Sequence, residues 1–154
     1  MAGLYCAFAD ESSVKRSGTE QEYLMCAALI ASDAAEEIRA ELSTLKEPGQ
    51  IKLHWTDEKE SRRRKIVELV SGIESILFVV SHKASPQNKT ERFRKECLKL
   101  LYSYLTDYGV TNLILESRSV VQDREDKRHI VHLQQRGSYV GLHIEHKRGG
   151  ECRS

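Results

Sequence analysis

Two carboxylates, Asp10 and Glu11, follow directly on an apolar run at residues 4–9 and precede Ser12. A short unbroken apolar run near the start of a chain predicts a strand that is buried on both faces of a sheet. An acid at the end of such a strand is held rigidly at the rim of the core, where water and a divalent cation can reach it. These residues therefore indicate a candidate metal site, although a solvated loop that begins at Asp10 would also account for them.

A second acid, Glu116, ends a later apolar run at residues 113–115. If this strand lies parallel to the first and beside it, Asp10 and Glu116 emerge at the same edge of the sheet. Because neighbouring strands are about 4.8 Å apart, such side chains can share one or two metal ions that hydrolyse a phosphodiester. The alternative is that Glu116 begins a polar loop and pairs with Arg118.

Histidines provide weaker candidates. His54 lies beside Trp55 on the polar side of a short alternating segment, and could be a metal ligand, a proton shuttle, a phosphate contact or a hydrogen-bonded structural residue. His143 and Glu145 share one face of the last predicted strand, which is a weak metal signal. The remaining histidines in charged surroundings are predicted to be surface residues: His129, His132 and His146.

Other sequence patterns give weaker indications of function. The basic run at residues 62–65 occupies consecutive helix positions that point around the axis, so we interpret it as a solvated face. The sequence contains no glycine-rich phosphate loop and no nucleotide-binding fingerprint. An acidic excess in residues 1–50 is balanced by a basic excess in the rest, which is compatible with a phosphate-contacting surface beside a metal pocket or with two solvated faces.

The periodicity of apolar residues predicts the elements that would position these side chains. Predicted strands occupy residues 4–9, 23–31, 76–82, 113–116 and 140–144, and predicted helices occupy residues 33–45, 57–71, 91–108 and 123–133. This order predicts an α/β fold with a mixed sheet, antiparallel first strands, αβαβ crossovers and a helical insertion at residues 33–72.

Helix starts and the connection after the first strand are also predicted. Asp33 with Glu36 forms a capping-box pattern, Thr56 or Asp57 is the next expected cap, and Asp123 is expected to cap the last helix. The polar stretch at residues 11–22 is predicted to be a long turn. In the second helix, three apolar residues are expected to face inward: Ile66, Leu69 and Val70.

Length and composition indicate one globular domain at residues 1–146, with a loose tail at residues 147–154. The chain has 154 residues, of which 40% are hydrophobic and 31% charged. No apolar run approaches the roughly 20 residues that a bilayer-spanning helix needs, and the start lacks a signal-peptide pattern, so we expect a cytoplasmic protein with no membrane partner. The four cysteines show no CxxC pairing and are expected to be reduced, buried thiols: Cys6, Cys26, Cys97 and Cys152.

Three segments in this order, residues 10–12, 53–57 and 113–119, resemble the motifs of the domain-of-unknown-function 3800 family over nearly the whole chain. Family members occur in bacteria and phages and are similar to ribonuclease-H-like nucleases in predicted fold. The resemblance implies a ribonuclease-H-like domain that binds Mg²⁺ or Mn²⁺ and cleaves phosphodiester bonds of DNA or RNA.

The resemblance also implies roles for individual residues. Asp10 and Glu116 would hold the metal, and Glu11 and His54 would support catalysis or transfer protons. Four residues would line the same edge of the sheet: Glu11, His54, Asp57 and Arg118. Lys52 and Arg118 would contact nucleic acid.

The sequence departs from the family pattern at several positions. Ser13 replaces a glycine, Lys52 stands where an acid is common, and Glu116 replaces an aspartate. The final helix that carries another family acid is absent from the sequence, so we expect an uncovered apolar sheet face, through which copies of the chain could associate. A truncated or degenerate, non-catalytic binding or regulatory module of a mobile element or phage-defence system is the alternative function. An enzyme that acts on a small phosphorylated substrate is a third.

Overall fold

A computed structural model describes residues 4–85, 90–137 and 141–148 of the chain. The strands are β1 Tyr5–Lys15, β2 Gln21–Ala31, β3 Ile76–Ala84, β4 Asn112–Glu116 and β5 His143–Lys147. The helices are α1 Ala35–Ser43, α2 Glu60–Ser71, α3 Thr90–Asp107 and α4 Val120–Arg136, with a short 3-10 helix at Trp55–Asp57. The predicted order of elements is confirmed.

The five strands form one mixed sheet in the order β3-β2-β1-β4-β5. Strand β2 is antiparallel to both β1 and β3, whereas β4 is parallel to β1 and β5 is parallel to β4. Helix α3 connects β3 to β4 across the sheet, and α4 connects β4 to its parallel neighbour β5, so both connections are crossovers. The sheet therefore has the predicted antiparallel start followed by two crossovers.

Helices α3 and α4 lie on one face of this sheet and enclose the core. Alternate residues of the central strands point to that face, so Ala7 and Ala9 of β1 and Met25 and Leu29 of β2 are buried. The α3 stripe that covers them is buried as well: Phe93, Cys97, Leu98, Leu101 and Leu105. Gly109, with φ of 66°, ends α3 in the left-handed conformation that a glycine adopts without strain, and the chain then enters β4.

The other face of the sheet is partly uncovered. Asp10 is the register partner of Cys26, and Cys26 is the partner of Val79, so the three side chains point to this face. Cys26 is exposed, and the side chains of Leu77 and Val79 are exposed by 62% and 65%. Among the residues described, this agrees with the expected uncovered apolar face, and it corrects the expectation that Cys26 is buried.

Strand β1 is longer than predicted. Residues 11–15 were expected to form a turn because they are polar, but they pair with β2 as far as Lys15↔Gln21. The hairpin closes with a hydrogen bond from the Arg16 N–H to the Glu20 carbonyl at 2.9 Å. Backbone pairing with β2 therefore overrides the local polarity, and Asp10 lies within a strand. The pairing of β1 with β2 continues past Asp10, whereas the pairing of β1 with β4 ends one residue before it, at Ala9↔Leu115.

Two predicted caps are wrong. Helix α1 begins after Ala34, whose side chain makes no capping hydrogen bond, so Asp33 and Glu36 form no capping box. Helix α2 is preceded by Lys59 at the N-cap, two residues or more beyond the predicted Thr56 or Asp57.

The third cap, predicted at Asp123, is also wrong. Ser119 caps α4, and its hydroxyl accepts a hydrogen bond from the Gln122 N–H at 3.2 Å in a capping box with Gln122. Asp123 lies inside the helix, where its carboxylate accepts hydrogen bonds from the preceding loop.

The insertion at residues 33–72 has few buried contacts. No residue of α1 or α2 is buried, and Val70, predicted to face inward, is 46% exposed. The segment predicted to be extended at residues 51–55 is irregular and ends in the 3-10 helix. Polar contacts hold this part of the insertion together: Glu58 accepts hydrogen bonds from Gln50 at 2.6 Å and from Arg62 at 2.7 Å.

The last strand, β5, begins three residues later than predicted, and Leu142 and Ile144 are buried. The predicted strand residue Val140, Cys152 and most of the predicted tail lie outside the described residues. Among the helices described, none is both long enough and apolar enough to cross a bilayer.

Candidate functional site

Asp10 and Glu116 occupy neighbouring positions on adjacent parallel strands. The last register pair between β1 and β4 is Ala9↔Leu115, and each acid is the next residue of its strand. Phe8 and Ile114, two residues earlier, are also register partners, so alternation directs both acids to the same face of the sheet. Since adjacent strands are about 4.8 Å apart, the two acids occupy neighbouring positions on the face opposite α3 and α4. We call Asp10, Glu116 and Lys52 the open edge.

The carboxylate of Asp10 is exposed, and the hydrogen bond described for it is local. Its Oδ1 accepts a bond from the Glu11 N–H at 2.8 Å. Cys26 lies across from it on β2. Asp10 therefore keeps acceptor capacity for a ligand from solvent.

Glu116 is paired with a lysine from the insertion. The Lys52 Nζ lies 2.6 Å from the Glu116 Oε1, and both side chains are partly exposed. An exposed ion pair of this kind contributes about 0–1 kcal/mol to stability. Lys52 therefore places a weakly held positive charge where a divalent cation would otherwise neutralise Glu116.

Glu11 lies on the opposite face from Asp10, because successive residues of a strand alternate. Its Oε1 is 2.6 Å from Nη1 of Arg94, a side chain on α3 that is 1% exposed. Arg94 also binds Asp126 with two hydrogen bonds, from Nε to Oδ1 at 3.0 Å and from Nη2 to Oδ2 at 2.9 Å. Glu11 was expected to line the same edge as the other site residues, but its carboxylate is engaged on the helix-covered face.

Two further side chains complete the hydrogen bonding of Asp126. Arg118 Nη2 lies 3.1 Å from its Oδ1, and His146 Nε2 lies 3.0 Å from its Oδ2. Burial alone would raise the pKa of Asp126, but the hydrogen bonds from Arg94 and His146 hold that pKa below its usual value. We call these five residues of the helix-covered face the buried cluster: Glu11, Arg94, Asp126, Arg118 and His146.

Three groups beside Arg94 have the composition of a metal site. Ligand atoms of Asp123, Asp126 and His146 all lie within 4.8 Å of one another. However, each oxygen of Asp126 already accepts two hydrogen bonds, which uses about four lone-pair sites. Asp123 accepts bonds from the Ser117 hydroxyl at 2.6 Å and from the Arg118 N–H at 2.9 Å. The arginines therefore already supply the positive charge that a metal ion would bring.

The other predicted site residues are dispersed. His54 and Asp57 are exposed and lie at either end of the 3-10 helix. Arg118 is paired with Glu91 and Asp126, so its charge is compensated inside the protein. His143 Nε2 is 3.9 Å from Glu145 Oε1, which brings only these two groups together.

The histidine predictions need one correction. The side chain of His146 is 4% exposed and belongs to the buried cluster, whereas we predicted a surface residue. His129 is half-buried, and its Nε2 is 3.0 Å from the carbonyl of Lys95. A signal for the buried cluster exists in the sequence: Asp126, Ile130 and Leu133 share one helical stripe, which places an acid among apolar residues.

Comparisons with known proteins identify the fold. No protein-family model matches the sequence, and no curated protein matches it. Among solved structures, ribonuclease H2 from Pyrococcus horikoshii OT3 is similar with a TM-score of 0.54 and 14% identity, over 94% of this chain and 64% of that one. RNase H3 from Aquifex aeolicus aligns with a TM-score of 0.49 and 8% identity, over 97% and 53% of the two chains. RNase HII from Archaeoglobus fulgidus, in its complex with PCNA, aligns with a TM-score of 0.41 and 20% identity, over 94% of this chain and 63% of that one.

The chain spans about 64% of the length of the P. horikoshii protein. The similarity at this identity concerns the backbone arrangement, and it agrees with the strand order β3-β2-β1-β4-β5 and with the two crossovers. The chain has a ribonuclease-H-like fold.

Proposed function

We propose that the protein is a divalent-metal-dependent phosphodiesterase that acts on nucleic acid, with Asp10 and Glu116 as its metal ligands. The observation that carries the proposal is the parallel register of β1 and β4, which brings these acids to adjacent positions on one face. The ribonuclease-H-like fold supports it, as does the resemblance of the three motifs to the domain-of-unknown-function 3800 family.

The side chains of the open edge fit a hard divalent cation. Carboxylate oxygens are the ligands that Mg²⁺ and Mn²⁺ prefer, and Asp10 is open to solvent. When bound, such an ion supplies Lewis-acid polarisation of a phosphoryl oxygen and activation of a water.

The surrounding residues have supporting roles in this proposal. Glu11 anchors β1 to α3 through Arg94 and so fixes the backbone that carries Asp10. His54 is exposed two residues from Lys52, and we retain it as a proton-transfer residue. Lys52 is positioned to contact a phosphate oxygen if the metal displaces it from Glu116.

An activity assay with single- and double-stranded DNA and RNA in Mn²⁺ tests the proposal. We expect Asp10→Asn and Glu116→Gln each to lower the cleavage rate by at least about 100-fold, because each removes a charged ligand of the ion. Asp33→Asn is the matched control, since Asp33 is an exposed acid at the other end of the sheet. Equal rates for the parent and Asp10→Asn would remove Asp10 from the mechanism.

The Lys52–Glu116 pair favours a second function, a non-catalytic nucleic-acid-binding module in which lysine permanently takes the place of the metal. Thermal unfolding with millimolar Mn²⁺ separates the two. A metal that binds the native state raises the melting temperature by mass action, so the enzyme proposal predicts a rise that Asp10→Asn abolishes. The binding-module function predicts no rise in either protein.

A further inference from the structure

We propose that Trp55 and Arg63 form a stacking site for an unpaired nucleobase of single-stranded nucleic acid, beside the open edge. The inference rests on the proposed function for the class of ligand. It concerns a binding site that the cleavage chemistry does not require.

Trp55 is the single tryptophan of the chain, and its side chain is 53% exposed. The Arg63 Cζ lies 5.3 Å from the centroid of the indole ring, within the range of a cation–π contact. Arg63 Nε donates to the Trp55 carbonyl at 3.0 Å, and Nη2 donates toward the Thr56 carbonyl at 3.3 Å. The guanidinium is therefore held by the backbone of the same turn that carries the Trp55 ring. The two side chains are thus ordered before a ligand arrives.

The charge of Arg63 is available to a phosphate. Among the residues described, its neighbours in the basic run are paired with acids, Arg62 with Glu58 and Arg64 with Glu60. Arg63 instead bonds to backbone carbonyls, which do not neutralise its charge. An exposed aromatic ring beside a guanidinium for which no ion pair is described is the combination that binds single strands without sequence preference.

The stacking site lies close to the open edge along the chain. Lys52 contacts Glu116, and Trp55 is three residues further on. Three residues span at most about 11 Å, a distance of a few nucleotides. A strand with one base on Trp55 can therefore present a neighbouring phosphodiester to Asp10 and Glu116.

Tryptophan fluorescence tests the inference directly, because all of the signal comes from Trp55. In the presence of EDTA, we expect a single-stranded DNA or RNA of about 12 nucleotides to quench this fluorescence. A blunt duplex of the same sequence should quench much less, because its bases are already stacked, and inorganic polyphosphate should not quench. Quenching by none of these ligands, or equal quenching by polyphosphate, would overturn the inference.

Matched variants separate stacking from charge. By fluorescence anisotropy of a labelled single strand, Trp55→Leu should weaken binding by about 5- to 100-fold, whereas Trp55→Phe, which keeps an aromatic face, should lose only a few-fold. Val131→Ala, at a similarly exposed apolar residue on α4, controls for the loss of apolar surface. Arg63→Gln should weaken binding more than Arg64→Gln, although both remove one charge. Equal losses for the two arginine variants would reduce the site to general electrostatics and contradict the proposal.

Asp10→Asn distinguishes this inference from the proposed function. We expect that variant to lose cleavage and keep the quenching. Cleavage by the parent protein without quenching would overturn the stacking site and leave the nuclease proposal standing. Quenching without cleavage in Mn²⁺ would support the stacking site and contradict the nuclease proposal.

Discussion

The buried cluster and the open edge lie on opposite faces of the sheet, and each contains two acids. In the buried cluster, Asp126 accepts four hydrogen bonds and its partner Arg94 is 1% exposed. In the open edge, Asp10 has one local bond described, and Glu116 has one lysine. A concentration of acids therefore does not by itself indicate a reactive site. What distinguishes the open edge is that its acids keep unused acceptor capacity within reach of water.

The comparison predicts that the buried cluster determines stability. Arg94→Gln should lower the free energy of unfolding by about 3–5 kcal/mol, because it leaves Glu11 and Asp126 without their buried counter-charge. Urea unfolding measures this loss. Arg64→Gln, at an exposed arginine, should change stability by less than about 0.5 kcal/mol. A loss as small as that of the control would mean that the buried cluster does not hold the fold together.

Asp126 of the buried cluster and the neighbouring Asp123 should make the protein acid-labile. The pKa values of Asp126 and Asp123 lie below their usual values in the folded protein, so folding favours the charged carboxylates. Their contribution is present above the unfolded pKa near 3.9 and is lost as pH falls through the lower folded values. We expect the urea midpoint to fall below about pH 4, and to fall less in Asp126→Asn. An identical pH profile for that variant would assign acid lability to other groups.

The smallest effect on stability is expected at the open edge. Lys52→Ala should cost at most about 1 kcal/mol while increasing Mn²⁺ affinity up to about fivefold, since the competing ammonium is removed from Glu116. Isothermal titration calorimetry measures the affinity. Lys59→Ala, at an exposed lysine of the same insertion, is the control. Unchanged or weaker binding in Lys52→Ala would show that Lys52 does not oppose the metal.

The order of elements was predictable, because continuous apolar runs such as residues 4–9 and 113–115 are local signals. The adjacency of β1 and β4 was a condition of the site prediction, and the parallel register of the two strands meets it. The length of β1 was not predictable in this way. Residues 11–15 are polar, and they form a strand because β2 folds back onto them. A local pattern does not report such pairing.

The candidate site was predicted in part. The neighbouring positions of Asp10 and Glu116 follow from the parallel pairing of β1 and β4, and the crossover from β3 to β4 gives β4 that direction. The pairing of Arg94 with Asp126 joins residues 32 apart on two helices, and periodicity places each on its helix without showing that they meet. Likewise, nothing near Glu116 in the sequence indicates that Lys52, 64 residues earlier, reaches it.

The alternation of Asp10 and Glu11 has an entropic consequence. Glu11 is fixed to Arg94 on the helix side, so the backbone that carries Asp10 is already immobilised before any ligand binds. A ligand that engages Asp10 therefore needs to restrict only the rotamers of one short side chain, and little conformational freedom is lost on association. Because Glu11 points to the opposite face and is held there, the exposed Asp10 has the preorganised backbone that is usual for buried residues.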